Sequence, residues 1–281
     1  MNGIKEVIEG FAVKSLQTAN QHEEDYEADG ILYCGKCNQP KQKIISILGT
    51  EYRVGVMCKC AHEEVKVIRE LEAKREFEKR VEFNKKHSGL SYVQQTHRFE
   101  SAETTKDNER QFKLCSNYAE KFSEMYRRSQ GLLLYGPPGT GKSFFATCIA
   151  NKLIEQGMYV RLESTISVAA KANMFKAHED SEDDYIMPEL LILDDLGAER
   201  STDFALERVH DIVDYRVSSG KPLIVTTNYS LRQMKEETDL RKARTFDRIF
   251  NCCFPIPFTG NSFRKKNASD KYAEIKDILE G

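Results

Sequence analysis

The sequence predicts an α/β protein with a parallel five-stranded sheet flanked by helices, preceded by a small α+β module and a linking helix. Three observations carry that expectation. From about Phe99 onward, short apolar runs alternate with amphipathic helical segments, the pattern of a parallel sheet covered by helices. Ahead of that alternation, Cys34, Cys37, Cys58 and Cys60 crowd into one short stretch. Between the two regions, Ala61 to Lys86 contains neither Pro nor Gly and is dense in Glu, Lys and Arg, as a solvated helix would be.

A chain of 281 residues leaves room for two domains of about 150 residues each. With 40% hydrophobic and 31% charged residues, it has ample material for a core. No apolar run is long enough for a transmembrane helix, so no membrane partner is expected. The start, Met1-Asn2-Gly3-Ile4-Lys5-Glu6, lacks the apolar stretch of a secretory signal. A cytoplasmic, reducing setting is therefore expected, where clustered cysteines speak for metal over disulfides. The formal charge of −2 argues against a chain coated in positive charge but leaves a local basic groove open.

Taken in order, Lys43 to Leu48 and Tyr52 to Val56 are β-rich and flank Gly49-Thr50, which predicts a hairpin. That hairpin separates Cys34-Gly35-Lys36-Cys37 from Cys58-Lys59-Cys60 by 20 residues. Two thiolate pairs brought together in this way can close a tetrahedral Zn²⁺ site that supplies folding energy to a small segment. His62 is an alternative to Cys60 as fourth ligand. The charged helix from Ala61 to Lys86 carries Val65, Ile68 and Leu71 on one face, and His87-Ser88-Gly89 ends it. It reads as a solvated connector or as a helix laid against a partner.

Next come strand Leu132–Tyr135, a helix from Gly141 presenting Phe145, Ile149 and Leu153, and Gly157 at the C-cap. Strands follow at Tyr159–Leu162 and Leu190–Leu193, then a helix lined by Leu206, Val209, Val213 and Val217, and a strand at Leu223–Thr227. Cys252–Ile256 is the expected fifth strand. Between Ser164 and His178 an amphipathic helix with Ile166, Ala170 and Met174 on its apolar face is expected, and Glu179–Asp184 reads as an exposed acidic loop. Cys115, Cys148, Cys252 and Cys253 fall within these patterns as buried apolar residues.

Gly136-Pro137-Pro138-Gly139-Thr140-Gly141-Lys142-Ser143 stands between a strand and a helix and fits G-x-x-x-x-G-K-[ST]. The glycines let backbone N–H groups close on a phosphate where a Cβ would clash. The helix N-terminus adds positive charge. Lys142 would reach the β- and γ-phosphates of ATP or GTP, and the Ser143 hydroxyl would ligate Mg²⁺. Asp194 and Asp195 end an apolar strand, the place where a buried sheet tolerates charge and binds ligands. One acid can hold the Mg²⁺ shell while the other orients an attacking water. Asn228, closing the Leu223–Thr227 strand, can position the same water or serve as a turn residue.

Together these elements resemble an AAA+ ATPase, specifically the DnaC/DnaI group of replicative-helicase loaders, with the IstB transposition helpers nearby. The resemblance covers roughly Tyr92 to Lys266. It rests on Gly136 to Ser143, Leu191 to Glu199, Ile224 to Asn228, Arg244 to Ile249 and Ser262-Phe263-Arg264. It implies Asp194 as the Walker B magnesium residue, Asp195 as the catalytic carboxylate and Asn228 as sensor 1. By the same likeness Arg248 is an arginine finger that enters a neighbouring subunit's site, and Arg264 is the sensor 2 arginine. Guanidinium groups suit the charge that develops on a γ-phosphate. Many AAA+ proteins carry Glu where Asp195 stands, so slow hydrolysis dependent on a partner or DNA is expected. From Arg241 to Asn267 there are seven basic residues and one acid, a patch suited to nucleoside phosphates and equally to a DNA backbone.

The implied organisation is a zinc-binding, helicase-interacting module at residues 1–62, a charged helical linker at 63–95 and an AAA+ ATPase domain at 96–281. The implied function is ATP-dependent delivery of a hexameric replicative helicase onto single-stranded DNA by a loader that self-associates through Arg248. An IstB-like helper acting on a transposase and duplex DNA is the alternative. A small-molecule kinase and a non-enzymatic adaptor fit the phosphate loop with less of the remaining pattern. The stretch Ser164 to His178, with Lys171 and Lys176, lies where loaders carry a DNA-facing helix.

Overall fold

A computed structural model of the chain describes residues 2–18, 23–173, 182–198, 203–264, 272, 275–276 and 278–280. By its internal contacts the chain divides into two units, Met1–Phe77 and Glu78–Gly281.

The first unit opens with helix α1 (Asn2–Thr18), which the sequence reading did not foresee. Two antiparallel hairpins follow: β1 (Tyr26–Ala28) with β2 (Ile31–Tyr33), and β3 (Gln42–Ile47) with β4 (Thr50–Gly55). The second is the hairpin expected from the sequence. Its turn falls at Leu48-Gly49, both with positive φ. The core of this unit is small, comprising Ala12, Tyr52 and Val54 with Ile8, Ile45 and Ile47 packed against them. Helix α1 is tied to β4 where the Gly55 N–H donates to Ser15 Oγ at 3.0 Å. A buried ion pair, Lys41 Nζ to Asp25 Oδ2 at 2.6 Å, adds a polar anchor. Helix α2 (Lys59–His87) is the charged helix of the sequence reading, and the division between the units falls within it. Its apolar residues Val67, Ile68 and Leu71 are exposed.

In the second unit α2 ends at Ser88-Gly89, where the Leu162 N–H donates to the Ser88 carbonyl at 2.7 Å. Helices α3 (Glu109–Glu120) and α4 (Phe122–Arg127) precede β5 (Gly131–Tyr135) and α5 (Lys142–Glu155). Gly157, at φ 83°, closes α5 with paired bonds, its own N–H to the Ile154 carbonyl and that of Met158 to the Leu153 carbonyl, the Schellman arrangement. Then come β6 (Val160–Ser164), α6 (Thr165–Asn173), α7 (Glu182–Ile186), β7 (Leu190–Leu196) and α8 (Asp203–Ser218). The chain continues through β8 (Leu223–Thr227), α9 (Leu231–Lys235), α10 (Leu240–Cys252) and β9 (Cys253–Pro257).

The five strands form one sheet in the order β6-β7-β8-β5-β9, and each pairing is parallel. All five expected strands are present. Alternate residues go to opposite faces, as a strand requires. Leu132, Leu134, Leu190, Ile192 and Ile224 join a core with α3 and α5 residues such as Cys115, Phe145 and Ile149. Leu133, Leu191, Leu193, Leu223 and Val225 join a second core with Val209, Val213, Phe246 and Ile249. Covered on both faces, the sheet keeps the polar residues of β7 and β8 at their carboxyl ends.

Two expectations are corrected. In α6 Val168 and Ala169 are buried while Ile166 is 52% exposed, so the apolar face is rotated from Ile166-Ala170. Burial against α8 and not periodicity alone selects the inward residues; Met174 and Lys176 lie outside the described residues. The acidic run is not simply a loop, because α7 begins within it and Asp184 pairs with Arg161 at 3.1 Å. Residues 179–181 of that run lie outside the described residues. As expected, Cys115, Cys148 and Cys253 are buried, with Cys252 partly so. Among the described residues no helix is long and apolar enough to cross a membrane.

Candidate nucleotide and metal sites

The phosphate-loop segment turns from β5 into α5 through three glycines of positive φ, Gly136 (135°), Gly139 (80°) and Gly141 (99°). Their freedom is needed twice over. A Cβ on Gly136 would collide with the Phe258 carbonyl oxygen, and one on Gly139 with the Ser262 side chain. The loop is braced by the Phe263 N–H donating to the Gly139 carbonyl at 2.9 Å and by Thr140 Oγ1 donating to the Pro137 carbonyl at 2.8 Å.

Lys142, on the first turn of α5, is 6% exposed. Its Nζ donates to the carbonyls of Gly136 and Pro137 at 2.7 and 2.8 Å and to Asn228 Oδ1 at 2.9 Å. Burial lowers its pKa, and the Asp195 carboxylate opposes that shift. Asn228 in turn donates from Nδ2 to Asp195 Oδ1 at 2.9 Å. One amide therefore links the loop lysine to the carboxylate at the end of β7.

The two acids sit differently. Asp194 Oδ1 accepts from Thr226 Oγ1 at 2.6 Å, and that hydroxyl accepts the Asp195 N–H at 2.8 Å. Asp195 adopts φ 62° at an irregularity of the β7–β8 pairing between Leu193 and Leu196. The break turns its side chain toward Asn228. Thr226 is a site residue that the sequence reading missed; a hydroxyl in the otherwise apolar run Leu223-Ile224-Val225 was the available signal.

A cleft of about 530 Å³ joins these groups. Pro138, Gly139, Gly141, Lys142, Ser143, Asp194, Asp195, Asn228 and Arg264 all line it, so the expected phosphate and magnesium residues come together. Gly136, Pro137 and Thr140 form the loop behind. Arg248 is not among the lining residues. It lies on α10 with Nη2 3.1 Å from Asp214 Oδ1, both side chains partly exposed. Glu199, Lys265 and Lys266 lie outside the described residues. The rest of the lining includes Gln94, His97, Ala102, Asn108, Phe144 and Phe145, which carried no motif. The residues present suit a nucleoside triphosphate with Mg²⁺: glycines that leave space against the loop, a lysine, a hydroxyl and two carboxylates at one end.

In the first unit Cys34, Cys37, Cys58 and Cys60 bring their sulfurs within 4.8 Å of one another. Sulfurs placed tetrahedrally at 2.3 Å from Zn²⁺ stand about 3.8 Å apart, so the set fits that ion. Around the first pair the chain turns back as the Cys34 N–H donates to the Gln39 carbonyl at 2.9 Å and the Asn38 N–H to the Cys34 carbonyl at 2.8 Å. Gly35 is required there, because a Cβ would strike the Glu24 carbonyl. The second pair brackets the start of α2, whose N-terminal N–H groups favour anionic sulfur. Hydrogen bonding from the Cys60 backbone lowers the Cys37 thiol to about 6. His62 is not part of the cluster; its side chain borders a surface hollow with Met57, Val65 and Arg69.

Comparison with known proteins agrees with this geometry. The family model of the IstB-like ATP-binding proteins matches residues 60–271, and the chain belongs to that family. It is 26% identical over 166 residues to the replicative helicase loader DnaI of Bacillus subtilis, covering 54% of this chain and 53% of that protein. It is 27% identical over 192 residues to the replicative helicase loader DnaC of Escherichia coli, covering 66% of this chain and 76% of that one. The match thus spans about half of DnaI and three quarters of DnaC. Among solved structures, DnaI superposes with a TM-score of 0.51 at 23% identity, covering 60% of this chain and 95% of that one. That likeness concerns the fold alone.

Proposed function

We propose, with membership in the IstB-like ATP-binding family as the premise, that this chain is an ATP-driven loader of a hexameric replicative helicase onto single-stranded DNA. The observation that carries the reading is a single cleft lined by Lys142, Ser143, both β7 carboxylates, Asn228 and Arg264, in a chain that also carries a four-cysteine cluster. Similarity to two proteins named as replicative helicase loaders supports the choice of partner.

In this reading Lys142 and the loop amides hold the β- and γ-phosphates. Ser143 and Asp194 hold Mg²⁺, with Thr226 fixing the Asp194 carboxylate. Asp195 polarises the attacking water, and Asn228 orients both water and carboxylate. Arg264 neutralises charge from the same subunit and Arg248 from a neighbour, so a complete site requires self-association. Residues 1–62, closed by Zn²⁺ on Cys34, Cys37, Cys58 and Cys60, contact the helicase, and 63–95 connect them to the ATPase domain at 96–281. The basic residues near Arg241 to Arg264 face the DNA backbone. The second reading, a transposition helper acting on a transposase and duplex DNA, is favoured by the family description itself.

The test is capture of the source organism's replicative helicase by the full-length, zinc-loaded chain, with Lys142→Ala as the nucleotide-blind control. The loader reading expects capture that a zinc chelator abolishes, and ATP-dependent transfer of helicase to single-stranded DNA that Lys142→Ala abolishes. No helicase capture by the zinc-loaded chain, with ATP-dependent binding to duplex DNA instead, would replace it with the transposition reading.

A further inference from the structure

The four-cysteine cluster stands in a unit whose apolar core is very small, yet that unit buries a charged pair. The side chains of Asp25 and Lys41 are each 3% exposed, with Lys41 Nζ 2.6 Å from Asp25 Oδ2. Burying two ions costs more than their attraction returns unless further hydrogen bonds complete the geometry, so such a pair is a weak stabiliser by itself. A core of Ala12, Tyr52 and Val54 offers little to offset that cost. The remaining partners of the pair point instead to the thiols.

The other oxygen of the same carboxylate, Asp25 Oδ1, accepts the Gly35 N–H at 3.1 Å. Gly35 lies between Cys34 and Cys37, so Asp25 grips the turn that presents the first thiol pair. The approach is close: a Cβ on Gly35 would meet the carbonyl of Glu24, the residue before Asp25. Lys41 stands where the approaches to both pairs cross. Its N–H donates to the Leu32 carbonyl at 2.7 Å, and its carbonyl accepts the Val56 N–H at 2.8 Å. Leu32 is two residues ahead of Cys34, and Val56 is two ahead of Cys58. One carboxylate is thus anchored, through Lys41, to the backbone leading into both pairs and is bonded directly to the turn inside one of them. The corresponding N–H of the second pair, on Lys59, donates to Gln39 Oε1 at 2.9 Å, but at the surface, where water can replace that acceptor.

We propose that Asp25 is the positioning residue of the cysteine metal centre, its carboxylate fixing the Gly35 turn so that Cys34 and Cys37 meet Cys58 and Cys60 before the ion arrives. This rests on the zinc-binding reading of those four cysteines. Lys41 compensates the buried charge and aims the carboxylate. Thiols already gathered within 4.8 Å bind an ion without first losing the freedom of the turn. Asp25 therefore acts on Zn²⁺ affinity although it touches no metal.

The test titrates Zn²⁺ into the metal-free full-length chain against a competing chelator. Two double variants separate the hydrogen bond from the charge pair. Asp25→Asn with Lys41→Met keeps an oxygen for the Gly35 N–H, whereas Asp25→Leu with Lys41→Met removes it. Neither leaves an unpaired buried ion, which is the strongly destabilising change at such a pair. The first is expected to bind Zn²⁺ within about threefold of the wild type, and the second about 10–100-fold more weakly. Saturated with Co²⁺, all three chains should show the d–d bands of tetrahedral thiolate ligation, which assigns the loss to affinity and not to the ligand set. Equal affinity of the two double variants, whatever its value, would overturn the assignment. Bands missing from the second variant at saturating Co²⁺ would mark a folding role and overturn it as well. A wild-type chain that binds neither ion would remove the zinc reading itself, and this inference with it.

Discussion

Asp195 answers to two demands at once. It holds a left-handed backbone at φ 62° and aims a carboxylate that Asn228 contacts at 2.9 Å. Asp and Asn tolerate that conformation better than longer side chains, because a short polar group can bond locally. This supplies a physical reason for Asp, and not the longer Glu, at this position. Asp195→Asn keeps the backbone preference and removes only the charge. It is expected to unfold within a few degrees of the wild type and to bind ATP, while steady-state hydrolysis falls at least about a hundredfold, the usual size of a lost general base. A folded Asp195→Asn chain with undiminished turnover would remove Asp195 from the proposed mechanism.

Between elements, two arginines with opposite surroundings lead to opposite expectations. Arg216 of α8 is wholly buried and meets carbonyls instead of acids. Its Nε and Nη2 donate to the Pro222 carbonyl at 2.9 and 2.8 Å, Nη1 to Pro188 at 2.7 Å and Nη2 also to Glu189 at 2.8 Å. It therefore ties together the segments leading into β7 and β8. Burial lowers its pKa to about 10, still charged at neutral pH. Arg216→Leu leaves several carbonyls without donors and is expected to cost about 2–4 kcal/mol, which thermal unfolding would register as a drop of roughly 5–15 °C. Arg248, by contrast, is half exposed beside Asp214, and such surface pairs contribute about 0–1 kcal/mol. Arg248→Ala should leave the melting temperature within about 2 °C and ATP binding intact, yet abolish hydrolysis by the self-associated protein if it completes a neighbour's site. Residual hydrolysis at the wild-type rate would exclude a trans role.

Across the whole molecule, legibility followed how local the cause was. The five strands could be read because a sheet covered on both faces demands apolar runs, and the loop and carboxylates because phosphate chemistry demands fixed spacings. Helix α3 went unread although Phe112, Cys115 and Ala119 have helical spacing, and the cleft-lining residues from Gln94 to Asn108 carry no motif because the tertiary fold alone brings them to the phosphate loop. The cysteine module lies between these cases. Its ligand spacing was visible, but the reason a metal would matter there is structural: beyond the sulfurs its core is Ala12, Tyr52 and Val54 with three partly buried isoleucines. So small a core supplies little folding energy, and domains of that size commonly depend on metals or disulfides. The second unit has two large cores of its own. Chelation of Zn²⁺ from the full-length chain is therefore expected to raise amide exchange throughout the β3–β4 hairpin and α1 while leaving the five-stranded sheet protected and ATP binding unchanged. Cys58→Ser should reproduce the effect without chelator, with zinc content falling from one ion per chain toward zero. Protection of β3 and β4 that survives complete removal of the metal would show that this small core folds without it.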